Sequence, residues 1–216
     1  MRAARRKRSG RRLFQFDREL GFRYVAGADE AGRGCLAGPL VVAAVCLDVS
    51  ARCARDLSDL DDSKRLTEQV RERLFHAIVR RAAAFAVVVV SADEIDRRGL
   101  HRSNLDGMAR ALWSLGDLPE LRLSDGFRIG AIAPPHRAIV GGDGRSAAIA
   151  AASVLAKVTR DRYMHGIADR YPGYGFETHV GYITPEHTAA VRSRGTTPLH
   201  RRSFQAAAYQ ELGALA

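Results

Sequence analysis

Lysine is almost absent from this chain of 216 residues. Lys7, Lys64 and Lys157 are the only lysines among 34 basic side chains, and arginine supplies the rest. Cysteine is equally scarce. Cys35, Cys46 and Cys53 are odd in number and form no CxxC pair, which argues against a disulfide framework and against a zinc site. Long apolar runs are missing too: the longest, residues 39–47 and 85–90, are far too short to cross a bilayer. Residues 1–12 form an arginine-rich run with no apolar signal region or cleavage pattern. A cytoplasmic location with reduced thiols and no membrane contact is the expectation. The lack of a G-x-x-x-x-G-K-[ST] loop weakens a P-loop nucleotide hydrolase, and the lack of G-x-S-x-G weakens a serine hydrolase.

The composition that remains is that of a folded protein. At 46% hydrophobic, the chain has enough apolar surface for a sizeable core, and its length suits one domain, with room for a small appendage. The formal net charge of +10 favours a polyanionic partner, nucleic acid first and an anionic membrane second. Part of that charge lies in Arg2, Arg5, Arg6, Lys7, Arg8, Arg11 and Arg12. Where arginine is the rule, Lys64 and Lys157 stand out, because an ammonium and a guanidinium are not equivalent at a phosphate.

Residues 1–20 are expected to form a flexible basic arm ending in the amphipathic Leu13-Phe14-Gln15-Phe16, and residues 206–216 a tail. Between them, residues 21–205 are expected to form one folded domain. Residues 24–29 and 40–47 suit strands, joined by a glycine-rich link that implies antiparallel neighbours. A helix fits residues 67–84, with Thr67 as cap and Val70, Leu74, Ala77 and Ile78 on one face. A strand over 85–90 precedes Ser91, which is placed to cap a short helix holding Asp93, Glu94 and Asp96. Residues 104–115 are helical by spacing; 121–123 and 138–140 suit short strands. Residues 146–170 suit a long helix with a small-sided first half. Thr184-Pro185 opens a further helix that Gly195 ends. Strands first, then strands alternating with helices, imply an α/β fold: a mixed central sheet flanked by helices, with a helical C-terminal lobe.

The acids carry the chemistry. Asp29 and Glu30 close an apolar strand, Asp125 ends 121–124, and Asp143 follows 138–142. In open α/β sheets, sites gather at strand ends. Carboxylates brought together repel one another unless a cation or proton intervenes, and hard oxygen ligands without histidine or cysteine suit Mg²⁺ or Mn²⁺. With a basic surface, that implies two-metal phosphodiester hydrolysis. Neighbouring strand residues point to opposite faces, so Asp29 and Glu30 are expected to share a site only if the backbone leaves strand geometry at Glu30. The competing reading is that strand-end aspartates are turn formers. Asp93-Glu94 shows how common such pairs are, since helix-start acids complement the dipole; Asp59, Asp61 and Asp62 suit a solvated loop. Gly32-Arg33-Gly34-Cys35-Leu36-Ala37 matches G-x-G-x-x-A, but a strand follows it, so no helix N-terminus meets a pyrophosphate.

The stretch Ala28-Asp29-Glu30-Ala31-Gly32-Arg33-Gly34-Cys35-Leu36-Ala37-Gly38-Pro39 resembles the signature of the ribonuclease HII family. The likeness continues in order through Asp62-Ser63-Lys64, Asp125-Gly126, Gly142-Asp143, residues 151–162, Tyr171-Pro172-Gly173-Tyr174-Gly175-Phe176 and His200-Arg201-Arg202-Ser203-Phe204. The resemblance implies a ribonuclease H-like fold, cleavage of the RNA strand of RNA–DNA hybrids, and cutting 5′ to ribonucleotides embedded in duplex DNA. It implies Mn²⁺ or Mg²⁺, two ions in the reactive complex. It makes Asp29, Glu30, Asp125 and Asp143 the metal-binding and catalytic carboxylates, with Asp29 shared by both ions. It further makes Gly32, Arg33 and Gly34 the loop that meets the ribose 2′-hydroxyl, the group that separates RNA from DNA. Tyr182 becomes the tyrosine beside the ribonucleotide–deoxyribonucleotide junction. Ser63, Lys64, Ser153 and Lys157 fall in matched segments and are expected to bind substrate, the lysines through phosphates. A monomer is expected.

Three positions depart from the family pattern. Gly142 and Val180 stand where lysines are usual, and Ser124 stands where an apolar residue often precedes Asp-Gly. Gly32-Arg33-Gly34, together with the lack of a sizeable N-terminal domain, argues against the sister type, ribonuclease HIII. The alternative function is a non-catalytic basic nucleic-acid-binding protein, which has no need of four carboxylates together. A metalloenzyme for small phosphoesters fits the net charge poorly.

Overall fold

The computed structural model describes residues 2–49, 51–204 and 209, without the side chains of 2–8 and 51–52. In chain order its elements are α1 (Arg2–Glu19), β1 (Tyr24–Ala31), β2 (Leu40–Asp48), α2 (Ala51–Asp56), α3 (Glu68–Arg81), β3 (Ala84–Val90), α4 (Ala92–Arg98), α5 (Leu100–Trp113), β4 (Leu121–Asp125), β5 (Arg137–Ile139), α6 (Ala147–Ile167), α7 (Phe176–His179) and α8 (Pro185–Arg194).

The five strands form one sheet in the order β3-β2-β1-β4-β5. β1 pairs antiparallel with β2 and parallel with β4, and β4 pairs parallel with β5. The mixed sheet follows from its connections: the short link 32–39 turns the chain straight back, whereas β4 and β5 arrive from crossovers. Both faces are covered. On one, Val25, Val41, Ala43 and Val45 pack against α6, including Ala148, Ile149 and Ala152. On the other, Ala26, Ala28, Val42 and Ala44 pack against Met108, Ala111 and Leu112 of α5. The continuously apolar run of β2 is thus a strand buried on both sides. Gly27 lets α6 come close, because a Cβ there would lie 2.3 Å from the backbone nitrogen of Ile149.

A third cluster, including Leu36, Met164, Tyr174, Phe176 and Val191, builds the helical C-terminal lobe over the end of α6 and the 35–37 loop. Thr184 caps α8 through His187 N, and Gly195 closes it. Ser91 caps α4 through Glu94 N, and Asp93 pairs with Arg97, so Asp93-Glu94 serves the helix start. No helix among the described residues is long and apolar enough to cross a membrane.

The expected arm over residues 1–20 is corrected. Arg2–Glu19 is helical, and Leu13 and Phe14 are buried in the α6-side core. Asp17, fully buried, accepts a hydrogen bond from Ala148 N at 2.9 Å and so ties α1 to the start of α6. An arginine-rich sequence hid this because the apolar contribution is confined to a few residues near its end. The side chains of Arg2, Arg5, Arg6, Lys7 and Arg8, and the expected tail apart from Tyr209, lie outside the described residues.

Candidate active site

β1 carries Asp29 and Glu30 to its end without a break. Its pairing with β2 continues through Asp29↔Ala43, Glu30↔Val42 and Ala31↔Val41. The expected departure from strand geometry at Glu30 is therefore corrected. Alternation holds, and the two carboxyls leave on opposite faces: Asp29 toward Ser153 of α6, Glu30 toward Asn104 of α5. They share a neighbourhood because the sheet ends there. Ser124 pairs with Ala28, which sets Asp125 beside the end of β1, and its charge acts on both acids. Ser124 itself is buried and donates to Phe127 O at 2.7 Å, holding the turn after β4. Asp143 arrives differently from the strand end expected: it sits in a 3-10 turn, Gly142–Gly144, between β5 and α6.

Asp29, Glu30 and Asp143 have raised pKa values. For Asp29, only 6% exposed, burial pushes it well above the carboxylate range; Glu30 and Asp125 push it further, and hydrogen bonds from Ser153 and Glu30 N oppose them. For Glu30, burial raises the pKa, and Asn104 and Arg33 oppose it. Arg33 Nη1 lies 3.6 Å from Glu30 Oε1. For Asp143, burial acts first, then Asp62 and Asp125, with Lys64 opposing.

Backbone donors take up part of this charge. Gly142 N donates to Asp125 Oδ1 at 2.6 Å, and Glu30 N to Asp29 Oδ1 at 2.7 Å. As placed, no three acidic, histidine or cysteine side chains among the described residues converge as metal ligands. The chemistry of the donor set still fits a hard divalent cation. It is all oxygen, and the burial and mutual repulsion that raise these pKa values are what a cation offsets. Gly142 is packed closely: a Cβ there would lie 2.4 Å from Ile149 Cδ1 and 3.2 Å from Asp125 Oδ1, so a lysine here needs its neighbours to move.

The 32–39 loop is held by two buried arginines. Arg160 of α6 donates to Pro39 O, Ala37 O and Val180 O at 2.9–3.0 Å. Arg201 donates to Gly38 O at 3.0 Å and Arg33 O at 2.9 Å. Both side chains are fully buried. Gly32 has φ +86°, and a Cβ on it would lie 2.0 Å from Arg160 Nε. Gly34 differs: its φ is unexceptional, and a Cβ there would meet nothing within 4 Å.

Tyr182 joins this loop to α6. Its hydroxyl meets the Cys35 thiol, and its ring lies 5.1 Å from Lys157 Nζ and 5.6 Å from the Arg160 guanidinium. The Lys157 ammonium also pairs with Asp161 at 2.7 Å. Lys64 is exposed near Asp143. Ser63 and Ser153 are buried, with their hydroxyls in contact. Val180 occupies the left-handed region at φ 45°, the only described non-glycine residue to do so. A β-branched residue there is strained.

Asn104, Arg160 and Arg201 are the residues that sequence reasoning missed. Asn104 is fully buried beside Glu30, where its amide favours the ionised carboxylate. Its one sequence signal was a polar residue in a stretch at core spacing. Arg160 and Arg201 lay inside matched segments, but nothing in an arginine-rich chain marks which arginines are buried.

Residues 26–207 match the protein family described as Ribonuclease HII. A ribonuclease HII of Salinispora arenicola is 53% identical over 195 residues, which cover 89% of this chain and 72% of the relative. The crystal structure of ribonuclease H2 from Pyrococcus horikoshii OT3 superposes with a TM-score of 0.75 at 28% identity, covering 89% of this chain and 98% of that one. Bst-RNase HIII in complex with Mn²⁺ superposes with a TM-score of 0.72 at 22% identity, covering 93% and 72%, and so shares the fold.

Proposed function

Because the chain belongs to the ribonuclease HII family, we propose that it hydrolyses the RNA strand of RNA–DNA hybrids and cuts 5′ to ribonucleotides embedded in duplex DNA. Family membership supports ribonuclease H activity in general. The observation that supports the finer reading is the adjacency of two features. Four electrostatically coupled carboxylates stand at the sheet end, and a loop with an unobstructed glycine, Gly34, follows on the same chain stretch.

Asp29, Glu30, Asp125 and Asp143 would hold Mn²⁺ or Mg²⁺, two ions in the reactive complex, with Asp29 common to both. When bound, such ions supply an activated water and stabilise the leaving oxygen, giving 5′-phosphomonoester products. The manganese complex of the similarly folded ribonuclease HIII supports a divalent ion. Asn104 and Ser153 orient the acids from the two helical layers. Gly34, lacking a side chain where the fold does not require that lack, lets backbone N–H and C=O groups approach a ribose 2′-hydroxyl. Tyr182, 37% exposed, offers a ring face to the sugar at the junction. Lys64 and Lys157 supply positive charge for backbone phosphates. The enzyme acts as a monomer in the cytoplasm in this reading.

The test is direct. A duplex carrying one ribonucleotide is incubated with Mn²⁺ and either wild type or Asp29→Asn. Cutting 5′ to the ribonucleotide by wild type alone is expected; absence of any metal-dependent cut by wild type sinks the proposal.

A further inference from the structure

Three imidazoles pack together in the C-terminal lobe, apart from the carboxylates. His179 and His187 stack with ring centroids 4.4 Å apart, and His187 Nε2 lies 3.1 Å from His200 Nε2. Backbone N–H groups can only donate, so they assign the ring protons. Thr197 N donates to His200 Nδ1 at 2.9 Å, which leaves the His200 proton on Nε2. His200 therefore donates to His187 Nε2. The His187 proton is then on Nδ1, 2.8 Å from the carbonyl oxygen of Tyr182. A second branch runs beside it: Gly181 N donates to His179 Nδ1 at 3.1 Å, and His179 Nε2 donates to Tyr174 O at 2.7 Å.

The direction of the chain is unambiguous: Thr197 N–H to His200, His200 to His187, His187 to the Tyr182 carbonyl. It works only with neutral rings, because a second proton on His187 sets two N–H groups face to face. Burial favours that state, pushing His187 and His200 down to about 4. Both branches are tied to the backbone at 181–182: the first ends on Tyr182 O, and the second begins at Gly181 N. That backbone also meets the loop: Leu36 N and Ala37 N donate to Gly181 O at 2.9 and 3.2 Å. The strained Val180 lies immediately before it, so this segment is held by its contacts rather than by local preference.

We infer that His187 and His200 are positioning residues: through the Tyr182 carbonyl they set where the Tyr182 ring stands relative to the Gly32–Gly34 loop, and thereby how well the enzyme recognises an isolated ribonucleotide. This rests on the reading that Tyr182 stands at the junction. A long hybrid offers many registers and tolerates a displaced ring, whereas a single ribonucleotide offers one.

The test compares His187→Leu, which keeps bulk without a donor, with His187→Asn, whose amide reaches the Nδ1 position. Each is assayed by kcat/KM on a duplex with one ribonucleotide and on a uniform RNA–DNA hybrid. His187→Leu is expected to lower the single-ribonucleotide rate roughly tenfold relative to the hybrid rate, as misplacement of a contact group does, and His187→Asn to restore most of it. Equal losses on both substrates, or equal impairment by Leu and Asn, overturn the inference. Tyr182→Ala serves as the control. If it leaves the ratio unchanged, the junction reading itself fails; if it changes the ratio and His187→Leu does not, only the positioning role fails. Should His187→Leu not fold, imidazole ¹⁵N spectra of wild type at neutral pH decide. Nδ1–H on His187 with Nε2–H on His200 is expected, and the opposite tautomer on His187 overturns the chain.

Discussion

The hydroxyls of Ser63 and Ser153 lie 2.9 Å apart, and Ser153 also bonds to Asp29. One hydroxyl has one proton. If Ser153 gives its proton to Asp29, Ser63 must donate to Ser153. The loop after α2 therefore supports a carboxylate of β1 through α6, in one direction. Both serines are buried, at 3% and 4% exposure, so their environment suits support of Asp29 rather than display to a ligand. Ser153→Ala is expected to raise the half-saturating Mn²⁺ concentration roughly tenfold, as loss of a ligand-orienting bond commonly does, with Ser63→Ala weaker. Metal titrations of the cutting rate check this; an unchanged Mn²⁺ requirement in Ser153→Ala contradicts it.

Asp29 is expected to trade stability for activity. Its raised pKa means that the ionised form is disfavoured in the fold. Asp29→Asn should abolish cutting, yet raise metal-free stability at neutral pH by on the order of 1–2 kcal/mol. Mn²⁺ should raise the melting temperature of wild type more than that of the variant. Thermal unfolding with and without metal measures both effects, and a destabilised metal-free variant would show that Asp29 is not under electrostatic stress.

Gly32 and Gly34 should separate fold from recognition. Gly32→Ala introduces a Cβ at positive φ and 2.0 Å from Arg160 Nε, so it should destabilise by about 1–3 kcal/mol. Gly34→Ala meets nothing in the protein, so its melting temperature should stay that of wild type while cutting at a single ribonucleotide falls. Full activity in Gly34→Ala rules out close approach of substrate at this backbone.

Asp17 should give stability a pH dependence of its own, at the start of α6. Burial pushes its pKa from 3.8 to about 6. Between those values the folded protein binds a proton that the unfolded chain does not. The contribution is full below about pH 4 and is lost as pH rises through about 6, at most about 3 kcal/mol in size. His187 and His200, lowered to about 4, act oppositely: their neutral rings stabilise the fold as pH rises toward 6.5. Asp17→Asn should keep the acceptor for Ala148 N and remove Asp17's share of the downward trend, leaving that of the other raised carboxylates. Denaturant unfolding from pH 4 to 7 checks the sign, and an identical profile in the variant refutes it.

Lys64 should act as a phosphate contact in the plain electrostatic sense. Lys64→Gln is expected to lower hybrid affinity similarly for different sequences and to reduce the salt slope by about 0.7–0.9. Lys157→Gln should do the same less cleanly, because Lys157 already pairs with Asp161. Binding measured across salt concentrations decides; unchanged slopes in both variants remove the phosphate role.

Much of this was legible from residue order. Antiparallel β1 and β2, the helix that Thr184 opens and Gly195 closes, and the acids at the ends of β1 and β4 all follow from alternation, caps and glycine. What was not legible depended on burial. Leu13 and Phe14 look like a minor apolar blip in a charged arm until their partners across the core are known. Arg160 and Arg201 have no local pattern that separates them from the exposed arginines. Glu30 departs from expectation for a different reason: a shared site does not require a shared face, because at the end of a strand both faces border the same space.

That last geometry makes the site a comparator. Asp29 takes its bearings from the α6 layer, and Glu30 from the α5 layer, with a sheet between them. A change that shifts one helix alone moves one carboxylate and not the other, so it alters their separation without touching either. Activity should therefore track the registration of the two layers, and paired repacking of both cores should be tolerated where repacking of one is not.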